Sequence, residues 1–234
     1  MKLSKFIKLI EKRIPPQLAI KGDKIGLITP TDDTRIEKIL LLMDYINTEQ
    51  IPYKDYDMLI LHHPPQTEPP LPTYVIHSNW DIIKGGACDA LADKLGLKTI
   101  DTINKGIGRI CETDTKLEIF IENVCKKLKT DNLRIVNFKG NLKIDKIAIL
   151  SGFGLNPAMI KKVHEKEVKV YLSGDLTHKG GILAKNLNLT LIDAGHHTTE
   201  LPGLYRLGEL LSKIGVEVKI IDTKTPWETI KWRP

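Results

Sequence analysis

The chain has 234 residues, 41% hydrophobic and 27% charged, with 17 Gly and 13 Pro. That length holds one large domain or two small ones, and the composition excludes a disordered, collagenous or disulfide-scaffold protein. The formal charge is +6; no apolar run approaches the roughly 18 residues of a membrane span, the opening residues lack the apolar core of a secretory signal, and Cys88, Cys111 and Cys125 form neither a close pair nor a metal-type cluster, so a cytoplasmic protein with reduced thiols is expected.

Leu3, Phe6, Ile7, Ile10 and Ile14 are spaced as an amphipathic helix that Pro15 and Pro16 stop. Residues 38–43, 57–61 and 73–77 are apolar runs of strand length, and residues 81–95 carry helical spacing with Gly96 placed to cap the end. Such alternation indicates an α/β layer fold whose central strands are buried on both faces. The plan then repeats: an amphipathic helix over 117–128, strands over 146–150, 168–172 and 189–192, and a helix over about 203–214 followed by Gly215. Two similar α/β halves, 1–110 and 111–234, are therefore expected. Gly106 to Arg109 reads as a turn or a strand entry and not as a phosphate-binding loop. The positive charge gathers between Lys126 and Lys169, where eleven basic residues face four acidic ones. A solvated lysine-rich surface is the favoured reading of that segment, and nucleic-acid binding the alternative, since no arginine–aromatic interleaving accompanies it.

Ligand sites in α/β sheets gather where strands end. Three strand ends here carry an unusual set: His62-His63 before Pro64-Pro65, His77 followed by Asp81, and Asp193 followed by His196, His197 and Glu200. Each has a plain explanation alone: a turn with exposed imidazoles, a helix N-cap at Asp81, a surface pair at His196 and Glu200. Together, imidazoles and carboxylates at the strand ends of one sheet system fit a pair of divalent cations, Zn, Fe, Mn or Co, with a carboxylate able to bridge them. No nucleophile triad is visible, because Gly174-Asp175 has no partner serine.

These blocks resemble the Nif-three-like family, the GTP cyclohydrolase I type 2 homologues. The likeness rests on Leu59-Ile60-Leu61-His62-His63-Pro64, on His77-Ser78-Asn79-Trp80-Asp81 with Gly85-Gly86-Ala87-Cys88-Asp89-Ala90-Leu91-Ala92, on Leu172-Ser173-Gly174-Asp175 with His178, and on Asp193-Ala194-Gly195-His196-His197-Thr198-Thr199-Glu200. Fainter echoes lie in residues 22–27 and in Met43-Asp44. The resemblance implies two related α/β halves, a toroidal homohexamer and a two-metal centre held by His62, His63, Asp81, His196 and Glu200, with Glu200 as the bridge. It implies that His77 lines the site. It sets His197, which stands where many members have tyrosine, behind the ligands, and it matches Asp175 and His178 to a family loop. The extra domain that some members insert between the halves is absent from this chain. The activity implied is a metal-dependent hydrolase on a nucleotide-like substrate, in which activated water would attack the purine imidazole carbon. The alternatives are a nucleic-acid-binding ring (DNA-binding through the basic segment) with a structural or regulatory metal site, and a metal-storing assembly.

Overall fold

The computed structural model describes residues 1–29, 31–228 and 230. Two sheets organise it. In the first, β1 (Gly26–Leu27), β2 (Lys38–Leu42), β3 (Met58–Leu61), β4 (Thr73–Val75) and β11 (Glu217–Ile220) lie in the order β1-β4-β3-β2-β11. β2, β3, β4 and β11 run parallel, and only β1 is antiparallel. The second sheet joins β5 (Lys98–Ile103), β6 (Gly108–Lys116), β7 (Arg134–Val136), β8 (Lys143–Phe153), β9 (Val170–Gly174) and β10 (Thr190–Asp193) in the order β5-β6-β8-β9-β10-β7. Its centre, β8-β9-β10, is parallel, and antiparallel strands finish both edges.

Continuous apolar runs form the parallel strands because both faces are covered. Ile39, Leu41, Met58 and Ile60 pack with Phe6 and Ile10 of α1 (Leu3–Arg13), while Leu40, Leu42, Leu59 and Leu61 fill the opposite face. In the second sheet Ala148, Leu150, Tyr171 and Leu191 meet Ile160 of α5 (Pro157–His164) and Ala184 of α6 (His178–Asn186). Ile147, Ile149, Val170 and Leu172 face Leu91 and Leu95 of α3 (Ala87–Leu95) and Phe120 and Val124 of α4 (Leu117–Leu128).

The expected helix over 81–95 is two helices. α2 (Ser78–Ile82) stops before Gly85, whose φ is +82°, and α3 starts after Gly86. A Cβ on Gly86 would stand 1.9 Å from the carbonyl oxygen of Trp80, so the close return of the chain requires glycine. Gly96 ends α3 in the left-handed conformation, as its place in the sequence predicts. The final helix, α7 (His196–Ser212), begins two turns earlier than the apolar spacing indicates; its opening turns are polar and Pro202 lies inside it, which hides them from a pattern reading. Strands β1, β5, β7 and β11 also go beyond that reading, as does β6 past its entry at Gly108–Arg109: β5 is almost wholly exposed and has no apolar run. By sheet, the chain is divided differently from a cut at residue 110, because β5 and β6 pair across that position and β11 returns to the first sheet.

α7 ties the sheets together. Its first turn lies against the second sheet, where a Cβ on Gly174 of β9 would come within 2.6 Å of the His196 backbone. Further on, Leu204, Leu207 and Leu211 enter the core of the first sheet, each burial worth about 1.5–3 kcal/mol. Among the described residues no helix is long and apolar enough to cross a membrane.

Candidate metal centre

The carboxyl ends of the two parallel triads, β2-β3-β4 and β8-β9-β10, face one another, and the residues singled out in the sequence collect between them. His62 and His63 leave β3 in a backbone still paired with the extension of β2, through His62 N–H to Leu42 O (3.0 Å) and His63 N–H to Met43 O (2.9 Å). His77 follows β4. Asp81 sits in α2. His196 and Glu200 are one turn apart at the start of α7, after Gly195 with φ +89°.

Five side chains converge. Glu200 Oε2 lies 3.1 Å from Nε2 of both His63 and His196, and Glu200 Oε1 lies 3.5 Å from His62 Nε2. Asp81 Oδ1 is 3.7 Å from the same His62 nitrogen. Two overlapping trios, His62–His63–His77 and His63–His196–Glu200, each bring ligand-type atoms within 4.8 Å of one another.

The rear nitrogen of each imidazole is held by an acceptor. His62 Nδ1 meets the Ile76 carbonyl (2.9 Å), His63 Nδ1 meets Asp44 Oδ1 (2.9 Å), His196 Nδ1 meets Asp175 Oδ2 (2.6 Å), and His77 Nδ1 meets Asp23 Oδ1 (2.8 Å). Carbonyls and carboxylates only accept, so each Nδ1 donates and each neutral ring turns the lone pair of Nε2 into the centre. His63 Nε2 and His196 Nε2 then oppose each other at 3.1 Å, a repulsive contact unless a cation lies between them. Two nitrogens bound at 2.0–2.1 Å on a tetrahedral ion stand about 3.3 Å apart, close to what is found. With the rings in this neutral form, His62 Nε2, Asp81 Oδ1 and Glu200 Oε2 are buried and have no hydrogen-bond partner, although buried polar groups are normally satisfied. Glycine makes the space: a Cβ on Gly152 would fall 2.0 Å from Glu200 Oε1. The donor set and its orphaned acceptors fit a metal.

Titration follows the same geometry. Burial disfavours charge on His63, but Asp44 and Glu200 outweigh it and raise its pKa from 6.5 to about 10. Burial is likewise overcome at His196, where Asp175 and Glu200 raise the value to about 10. Burial pushes Asp81 up to about 7. Glu200 is held well below the usual carboxylate range, since the imidazoles of His62, His196 and His63 overcome its burial.

His197 pairs with Asp222 (2.6 Å) and lines the cleft beside the cluster without joining its ligand-type atoms, whereas His178 lies elsewhere, exposed at the start of α6. Asp44 and Asp23, present in the sequence only as faint echoes, turn out to orient His63 and His77. Asp44 lies just past the end of β2, the one strand of the first triad whose end carries none of the site residues named from the sequence, and that gap is the signal the sequence holds. Asp23 is itself fixed by hydrogen bonds from the Ser78 amide and hydroxyl. Within the basic segment, Arg134, Lys143, Lys162 and Lys166 pair with Asp193, Asp114, Glu165 and Asp101. A cleft of about 610 Å³ opens beside the cluster, bounded by His63, His196, Asp175, Tyr45, Lys224 and Trp227.

The model of the Duf34/NIF3 (NGG1p interacting factor 3) family matches residues 1–73 and 67–226. A protein of Methanothermobacter thermautotrophicus named GTP cyclohydrolase 1 type 2 homolog is 45% identical over 230 residues, 97% of this chain and 95% of that one. Reduced HcgD from Methanocaldococcus jannaschii superposes with a TM-score of 0.83 at 34% identity, covering 96% of this chain and 98% of its own. The Staphylococcus aureus hypothetical protein SA1388 gives a TM-score of 0.84 at 22% identity over 98% of this chain and 99% of that one, a likeness of fold alone.

Proposed function

Because the chain belongs to the Duf34/NIF3 family, we propose that it is a dinuclear metal-dependent hydrolase acting on a nucleotide-like substrate. The observation that carries the reading is the convergence of three imidazole Nε2 atoms and two carboxylates, each imidazole fixed from behind, with His62 Nε2, Asp81 Oδ1 and Glu200 Oε2 buried and without a hydrogen-bond partner. His62, Asp81 and Glu200 would hold one ion, and His63, His196 and Glu200 the other. Bound there, the ions lower the pKa of water and polarise a carbonyl or phosphoryl oxygen. Asp44 and Asp175 keep the rings in the tautomer that ligates. The adjoining cleft has the volume of a small-molecule site, and the shared name of the relatives, GTP cyclohydrolase 1 type 2 homolog, suggests a purine nucleotide as its occupant. Assembly as a toroidal homohexamer in the cytoplasm is part of the same proposal and rests on family resemblance.

Elemental analysis of protein purified without chelator or affinity metal is the direct test. About two equivalents of Zn, Fe, Mn or Co per chain, together with metal-dependent hydrolysis of GTP or a related nucleotide, are expected. Absence of metal, or two ions with no hydrolysis of any nucleotide, would overturn the hydrolase. Light scattering that gave a stable monomer at micromolar concentration would overturn the hexamer.

A further inference from the structure

Arg109, in β6 of the second sheet, is 3% exposed, and most of its guanidinium bonds go to the short stretch that joins α2 to α3. Nε and Nη2 grip Asp89 of α3 (2.6 and 3.0 Å), and Nη2 also donates to the carbonyls of Ile82 and Ile83 (3.3 and 3.2 Å). Nη1 donates to Gly106 O (2.5 Å) and Gly108 O (3.3 Å). Asp89 in turn accepts from the Gly85 amide (2.6 Å). The whole turn between α2 and α3 is thus fastened to one side chain. A five-residue helix cannot satisfy its own last carbonyls, and a planar fork with five donors can reach several at once.

Asp81 immediately precedes the clamped carbonyls. Its own Oδ1 lies 3.7 Å from His62 Nε2 and has no hydrogen-bond partner, so no hydrogen bond to that oxygen sets its place. A buried ion pair is also a poor device for stability alone, since well-packed apolar residues often serve as well. We infer that Arg109 is a positioning residue for Asp81: through Asp89 and the carbonyls of Ile82 and Ile83 it fixes how the carboxylate stands toward His62. The inference rests on the two-metal reading above.

Arg109→Met strips every one of these bonds and is expected to fold poorly, so Arg109→Lys, which keeps the charge but not the fork, carries the test. Metal titration of the full-length variant should show one of the two ions bound 10- to 100-fold more weakly and the other within twofold of wild type. In an Asp81→Asn background the same lysine should cause no further loss, because the carboxylate it positions is gone. Val163→Ala, a truncation in the core of the second sheet, should lower stability while both ions stay. Unchanged affinity in Arg109→Lys, or an equal loss in both backgrounds, would overturn the inference. Wild-type protein that binds no ion would sink the metal reading by itself. Amide exchange then decides the clamp: the amides of Ile83 and Gly86 should exchange at least tenfold faster in Arg109→Lys than in Val163→Ala, and equal rates would overturn the role of Arg109.

Discussion

The two walls of the candidate metal centre are built by opposite means. On the wall of the first sheet, His62 and His63 ride an extended backbone that goes on pairing past the end of β3, so hydrogen bonds to Leu42 and Met43 hold them. On the other wall, His196 and Glu200 ride the first turns of a helix seated by close contact on glycines: Gly174 under the His196 backbone and Gly152 under the Glu200 carboxylate. A wall held by a ladder tolerates changes of side-chain volume nearby. A wall held by contact does not tolerate one added methyl.

Glu200 belongs to the second wall but touches both, so its loss should erase the comparison and give the largest effect. Glu200→Gln removes the shared negative charge at constant size. At least one ion should be lost by elemental analysis, and nucleotide hydrolysis should fall on the order of 100-fold or more, while size-exclusion profile and circular dichroism stay those of wild type. Full metal content and full activity would rule out the shared carboxylate.

A methyl group tests the contrast itself. Gly152→Ala sets a Cβ 2.0 Å from Glu200 Oε1 at a backbone φ of +76°, which should cost about 2–4 kcal/mol of unfolding free energy from strain and overpacking, with metal content reduced. On the ladder wall, Pro64→Ala should cost less than about 1 kcal/mol. Urea unfolding of both variants gives the two numbers, and similar values would mean that the walls do not differ.

The sequence was legible where chemistry repeats a pattern and silent where contact decides. His62-His63 after the run Met58–Leu61 announces a strand end with ligand-type side chains, and Gly96 announces a helix stop. Gly152 gives no such signal, because its need for glycine comes from a glutamate far along the chain. Arg109 follows a Gly-Ile-Gly turn and reads as ordinary; only the fold brings Asp89 and the carbonyls of Ile82 and Ile83 to it. Asp175 was visible as part of a family loop, yet its hydrogen bond to His196 depends on β9 and β10 lying side by side. The antiparallel edges, such as exposed β5, carry no apolar alternation from which to be read.

The carboxylates behind the rings sharpen the comparison further. Asp44→Asn and Asp175→Asn should each weaken metal binding 10- to 100-fold by titration against a competing chelator, and to similar extents if the walls share the load. A much larger loss for Asp175→Asn would mark the helix-borne wall as the softer one.

The smallest effect expected is in pH dependence. His63 and His196 have folded-state pKa values raised from 6.5 to about 10. In chelator-treated protein the stability gained from their charged forms is complete below pH 6.5 and is lost as pH rises through about 10. The unfolding midpoint should therefore drift down over that window in chelated protein and stay flat in metal-loaded protein, whose rings are already neutral. Calorimetry at pH 8 in buffers of different ionisation enthalpy should show proton release on metal loading.

The parallel pairing of β11 with β2 has a consequence for how the chain is made. Synthesis delivers β2, β3 and β4 early, but the strand that covers the outer side of β2 leaves the ribosome after all the other strands of the described residues. Until then the segment Lys38–Leu42 (KILLL) offers an open backbone edge flanked by apolar side chains, the kind of template that recruits other nascent chains. Slow translation of the second half would lengthen that exposure, and supplying the last strand in trans would shorten it.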